Sequence, residues 1–189
     1  MNNSTTIPNG RNDPLLLAGR ILTIIMQGVM AIIALGVTIA IPVLFLFHDE
    51  IQTDLIAKHG GEISAFPAWQ IAGILLLALA LIATAFVFFG KLRAIINSVG
   101  DGDPFAPENA DRLTAMAWLS LGAYAIMAMM VGVALTISEW ASQIDGEEMN
   151  FELDFGFDLT GILMIIVLFI LARVFRHGAA MRDDLEGTV

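Results

Sequence analysis

The chain has 189 residues, of which 57% are hydrophobic and 15% charged; its net charge is −10 and its mean hydropathy is +0.78. Soluble domains carry about 45–50% apolar and about 25% charged residues, so this composition excludes a soluble enzyme, a disordered chain and a small secreted domain. Without a basic stripe it excludes direct nucleic-acid binding, and without cysteine it excludes a disulfide framework, a thiolate metal site and a thiol nucleophile.

Residues 1–14 (MNNSTTIPNGRNDP) are polar and turn-rich, and read as a disordered cytoplasmic arm. The uncharged runs Ile21–Phe47, Ile63–Gly90 and Leu113–Ser138 each exceed the ~18 apolar residues that mark a membrane span. The first is too long for a signal-peptide core and reads as retained. A fourth span needs Phe157–Phe175, with Arg173 snorkelling to the headgroups. The expected fold is an all-α integral membrane bundle of four helices, near 18–47, 67–92, 112–138 and 157–177, forming a single domain over 15–189. Eight of the nine Lys and Arg residues lie on the arm, the middle connection and the tail; Lys58 is the exception. Basic residues stay inside, which predicts both termini on the cytoplasmic side. Eleven acids against Lys58 then put the whole net charge outside.

Small residues four or eight apart offer close helix approach: Ala128, Gly132 and Thr136 in the third span, Gly28, then Gly36 and Ala40 in the first, Ala80 and Thr84 in the second. They predict packing within the bundle and also allow a homo-oligomer. Pro42 should kink the end of the first span. Trp69, Trp118 and Trp140 fall at span ends, as interfacial anchors do. Gln27 is the one strong hydrogen-bonding side chain at membrane depth, and predicts an interhelical bond. No ionisable group lies at mid-membrane depth, where coupled transporters carry them.

In the second outer connection, Phe151 to Leu159 alternates apolar and acidic residues, predicting a short extended or β segment. Its acids form either a solvated face or a surface for a cation or basic partner. The middle inner connection, Gly100 to Leu113, reads as a turn at Gly102 and Pro104 followed by a helix entry at Pro107. There Glu108 can pair with Arg112 four residues on, and Phe105 can staple the first turn. Asp101 and Asp103 lack a third metal ligand. His48 and His59 share the first outer loop with Asp49, Glu50 and Asp54, but no ligand spacing is specified. There is no HExxH, no phosphate loop and no nucleophile constellation. The expectation is no catalytic, cofactor or metal site, and no enzyme.

Two inner segments, GDPFAPENADRL and RVFRHGAAMRDDLEGTV, resemble the bacterial membrane proteins grouped as domain of unknown function 2975. The matching residues are Gly102, Pro104, Phe105, Asn109, Arg112, Leu113, Val174, Phe175, Gly178, Thr188 and Val189, over nearly the whole length. Ala106, where a capping Ser or Thr is expected, and Gly187, where an apolar residue is expected, depart from the pattern. The resemblance implies a multi-pass protein of the bacterial inner membrane. It also implies a partner, because members are often encoded beside a small helix-turn-helix regulator, and hence a signalling role. On this reading Pro104, Phe105, Asn109, Arg112, Phe175, Arg176 and Gly178 form a cytoplasmic docking surface. The competing readings are that these residues merely seal the inner end of the bundle, or that the chain is a small transporter, channel or accessory membrane subunit.

Overall fold

A computed structural model describes residues 13–59, 65–145 and 159–186. All their regular structure is helical: α1 (Pro14–Leu46), α2 (His48–His59), α3 (Ala68–Gly100), α4 (Pro107–Asp145) and α5 (Leu159–Glu186). The segment 151–158, expected to be extended, lies outside the described residues, as do residues 1–12 of the expected arm. Four helices are long and apolar enough to cross a bilayer: α1, α3, α4 over Pro107–Ser142, and α5 over Leu159–Asp184. The protein is a multi-pass membrane protein whose regular structure, among the described residues, is entirely helical.

The helices outrun the expected spans because backbone chemistry, not hydropathy, ends them. At about 1.5 Å per residue, the 33 residues of α1 extend about 50 Å, well beyond a hydrocarbon layer about 30 Å thick. α1 starts at Pro14, inside the stretch assigned to the arm. Asp13 caps it, accepting the Leu15 N–H on Oδ1 at 2.9 Å, while Pro14 supplies a first residue with no N–H to satisfy. At its other end α1 runs through Pro42, and the bend comes five residues later at Phe47. α2 follows at once, a helix within what hydropathy reads as a loop; its Asp49 and Glu50 sit in the first turn, where the helix dipole favours acids.

The helices divide into two compact units. One comprises Met1–Met30, Ala85–Leu121 and Leu159–Val189; the other comprises Ala31–Thr84 and Gly122–Asp158. The first unit holds the main core. Leu113, Met116 and Ala117 of α4 meet Leu168 and Ala172 of α5, and Phe88, Leu92 and Ile95 of α3 pack against them. α1 joins through Gln27, whose Nε2 donates to the Phe86 carbonyl at 3.2 Å, the interhelical bond the sequence predicts. The approach is close because Gly90 faces Gln27: a Cβ there would lie 3.3 Å from Nε2.

The second unit buries little beyond Ala68, Ala72 and Ala141. An aromatic group ties its helix ends: Phe45 with Trp69 at 4.9 Å, and Phe66 with His48 at 6.0 Å and with Trp140 at 5.7 Å. Gln52 of α2 accepts the Phe66 N–H at 2.6 Å. The small-residue stripes do not serve as predicted. Ala128, Gly132 and Thr136 are exposed, and nothing lies within 4 Å of a Cβ built at Gly28, Gly36 or Gly132. Spacing identifies a face but not its direction, and the tight glycine approaches are instead at Gly19, Gly90 and Gly178.

Candidate functional site: the α3–α4 connection and the α5 tail

The seven residues predicted to act together are gathered at the connection between α3 and α4, all in the unit that carries both termini. The connection is built from its helix ends inward. α3 stops in a Schellman motif: the Gly102 N–H reaches the Val99 carbonyl at 3.1 Å and the Asp103 N–H reaches the Ser98 carbonyl at 2.9 Å. Gly102 adopts φ +87°, a conformation that costs glycine no steric penalty. α4 then starts at Pro107, and Ala106, in the capping position, offers its carbonyl to the Asn109 N–H at 2.9 Å.

Ala106 has no side-chain cap to give, and Asn109 carries much of the polar work instead. Its side chain is fully buried. Nδ2 donates to Ser98 Oγ at 2.7 Å and to the Pro104 carbonyl at 3.0 Å, while Oδ1 accepts from Arg112 Nη1 at 2.7 Å. The amide thus uses both donors and its acceptor. Arg112 Nη1 also reaches the Ala94 carbonyl at 3.4 Å, and Ser98 Oγ donates to the Ile95 carbonyl at 2.8 Å. Among the described residues no buried side-chain nitrogen or oxygen lacks a partner. The expected Glu108–Arg112 pair does not form, because the guanidinium turns inward to Asn109 and the end of α3, where desolvated bonds to a charged donor are stronger than a solvated pair along one helix.

The tail docks on this knot. Phe105 lies on α5, 5.4 Å from Phe175, with its ring over Gly178. A Cβ at Gly178 would stand 2.7 Å from Phe105 Cδ1, closer than packed atoms sit, so glycine is what admits the ring. Arg176 pairs with Asp111 at 3.2 Å, and Arg182 pairs with Asp103. Asp103 therefore holds a tail arginine. Sequence reasoning missed Ser98 and both tail ion pairs. The pairs had a legible signal, since the connection carries four acids, Asp101, Asp103, Glu108 and Asp111, and the tail three arginines, Arg173, Arg176 and Arg182; Ser98 had none, being one hydroxyl at the end of an apolar helix.

The site divides by exposure. Asn109 is enclosed and Arg112, Pro104, Phe175 and Gly178 are half-buried, while Phe105, Asp111, Arg176 and His177 are exposed. Among the described residues no three His, Asp or Glu side chains converge. His48 and Asp49 instead bond to each other at 3.1 Å on α2.

The sequence profile of the family described as "Protein of unknown function (DUF2975)" matches residues 54–189. The chain belongs to that family. The match takes in the α3–α4 connection and the whole tail, and starts after α1, so it is shorter than the nearly full-length likeness read from the motifs. No curated protein and no solved structure matches the chain.

Proposed function

We propose that this membrane protein is not an enzyme but a docking partner, holding a small cytoplasmic helix-turn-helix transcription regulator at a bacterial inner membrane. Both termini and the α3–α4 connection face the cytoplasm in this reading, supported by the concentration of Lys and Arg there. The observation that carries it is the joining of connection and tail into one braced surface, where an exposed aromatic ring, Phe105, stands beside the exposed Arg176–Asp111 pair. An apolar anchor ringed by charges is what protein interfaces use. Asn109 and Arg112 shape this surface from beneath and do not touch the partner. A transport path finds less support: Gln27, Thr38, Thr84, Ser120 and Thr136 each donate a hydrogen bond to a main-chain carbonyl, which engages one donor of each.

The test is binding of a purified helix-turn-helix regulator, encoded beside the gene, to the full chain in nanodiscs. Arg176→Glu and Phe105→Ser should each weaken binding at least tenfold. Binding unchanged by both substitutions overturns the docking surface. A reporter fused after Val189 that is active outside the cytoplasm overturns the orientation.

A further inference from the structure

We propose that a cleft between α1 and α3 binds the headgroup of a zwitterionic aminophospholipid, with the lipid phosphate on Arg20 and its ammonium on Asp101. The cleft encloses about 240 Å³, many times the ~10–15 Å³ that one water needs. Its polar side is formed by Arg20, Asn97 and Asp101, and its apolar side by Leu16, Leu17 and Ile96.

Three observations point to this ligand. Arg20 and Asp101 have opposite charge and line one cleft, yet they form no ion pair with each other or with any other described residue. The cleft also lies at headgroup depth, because Arg20 immediately precedes the uncharged run Ile21–Phe47. Finally, its charges sum to zero. A guanidinium presents forked donors to phosphate oxygens, and a carboxylate accepts the N–H bonds of a primary ammonium. Phosphatidylglycerol brings a phosphate but no cation for Asp101. Phosphatidylcholine brings a cation with no N–H to donate. The leucines and Ile96 suit the glycerol and upper acyl chain.

The experiment is native mass spectrometry of the full chain in detergent with equimolar phosphatidylethanolamine, phosphatidylglycerol and phosphatidylcholine. Phosphatidylethanolamine should be retained at least fivefold above either competitor. Asp101→Asn should reduce it to the level of phosphatidylglycerol. Arg20→Gln should reduce both phosphatidylethanolamine and phosphatidylglycerol about tenfold. Both side chains are exposed and unpaired, so these variants should keep the wild-type circular dichroism. Asn97→Trp, which fills the cleft and leaves the charges, should abolish the preference. Equal retention of the three lipids by the wild type, or a preference surviving Arg20→Gln and Asp101→Asn, overturns the proposal. Soluble sources are separated by competition: displacement of the lipid by millimolar inorganic phosphate or phosphoethanolamine overturns a lipid ligand, and retention supports it.

Discussion

The two units of this protein are made from the same kind of helix but held by different means. In the unit with both termini, α3, α4 and α5 share a core of larger side chains, and a buried amide, a half-buried guanidinium and two tail ion pairs link their ends. In the other unit three buried alanines and a rim of aromatic rings do the holding. In lipid, apolar side chains gain little by leaving the acyl chains for each other. Close packing and hydrogen bonds therefore decide where helices adhere. The contrast teaches that in this chain the larger apolar core and the buried polar network occur in the same unit.

Removing the centre of the knot should have the largest effect. Asn109→Ala leaves the Ser98 hydroxyl, the Pro104 carbonyl and the Arg112 guanidinium short of a partner, which should cost about 2–3 kcal/mol of unfolding free energy in detergent. A loss below about 0.5 kcal/mol would break the comparison, since the knot would then be dispensable. Next comes Gly178→Ala, which drives a methyl into the Phe105 ring; about 1–2 kcal/mol is expected from overpacking. Adding Phe105→Ala should recover most of that loss, and a double-mutant cycle measures the coupling. Gln27→Leu should cost about 0.6 kcal/mol, the typical worth of a polar contact between membrane helices. At the bottom of the scale, Gly28→Ala and Gly132→Ala should not destabilise, because a Cβ at either position meets nothing within 4 Å. A loss above about 1 kcal/mol at Gly132 would show that the exposed stripe is covered by a second copy.

The spans were legible because a long uncharged run has few ways to exist outside a bilayer. Their ends were not, because charge does not stop a helix. Lys91 and Arg93 fall after the expected second span or at its edge, yet α3 continues to Gly100 and ends where Gly102 can turn. α2 was invisible to hydropathy, and its helical character rests on acids at its start and the Lys58–Asp54 pair one turn apart. Within the site, the motif residues could be chosen from the sequence, and their gathering in one place agrees with the expectation, from the Lys and Arg bias, that connection and tail share one side. Their division of labour could not be read, because Asn109 is buried by residues of α3 and of the connection, and one-dimensional spacing does not record which face of α4 those segments cover.

Gln27 has one more implication, for how this fold would withstand drift. Its acceptor is a main-chain oxygen, which every amino acid at position 86 supplies alike. Substitution of Phe86 therefore leaves the acceptor in place. The tether between α1 and α3 is vulnerable at only two points, the amide itself and the missing side chain at Gly90 that lets it come near. Mutational tolerance across this contact should accordingly be lopsided, generous at 86 and narrow at 27 and 90.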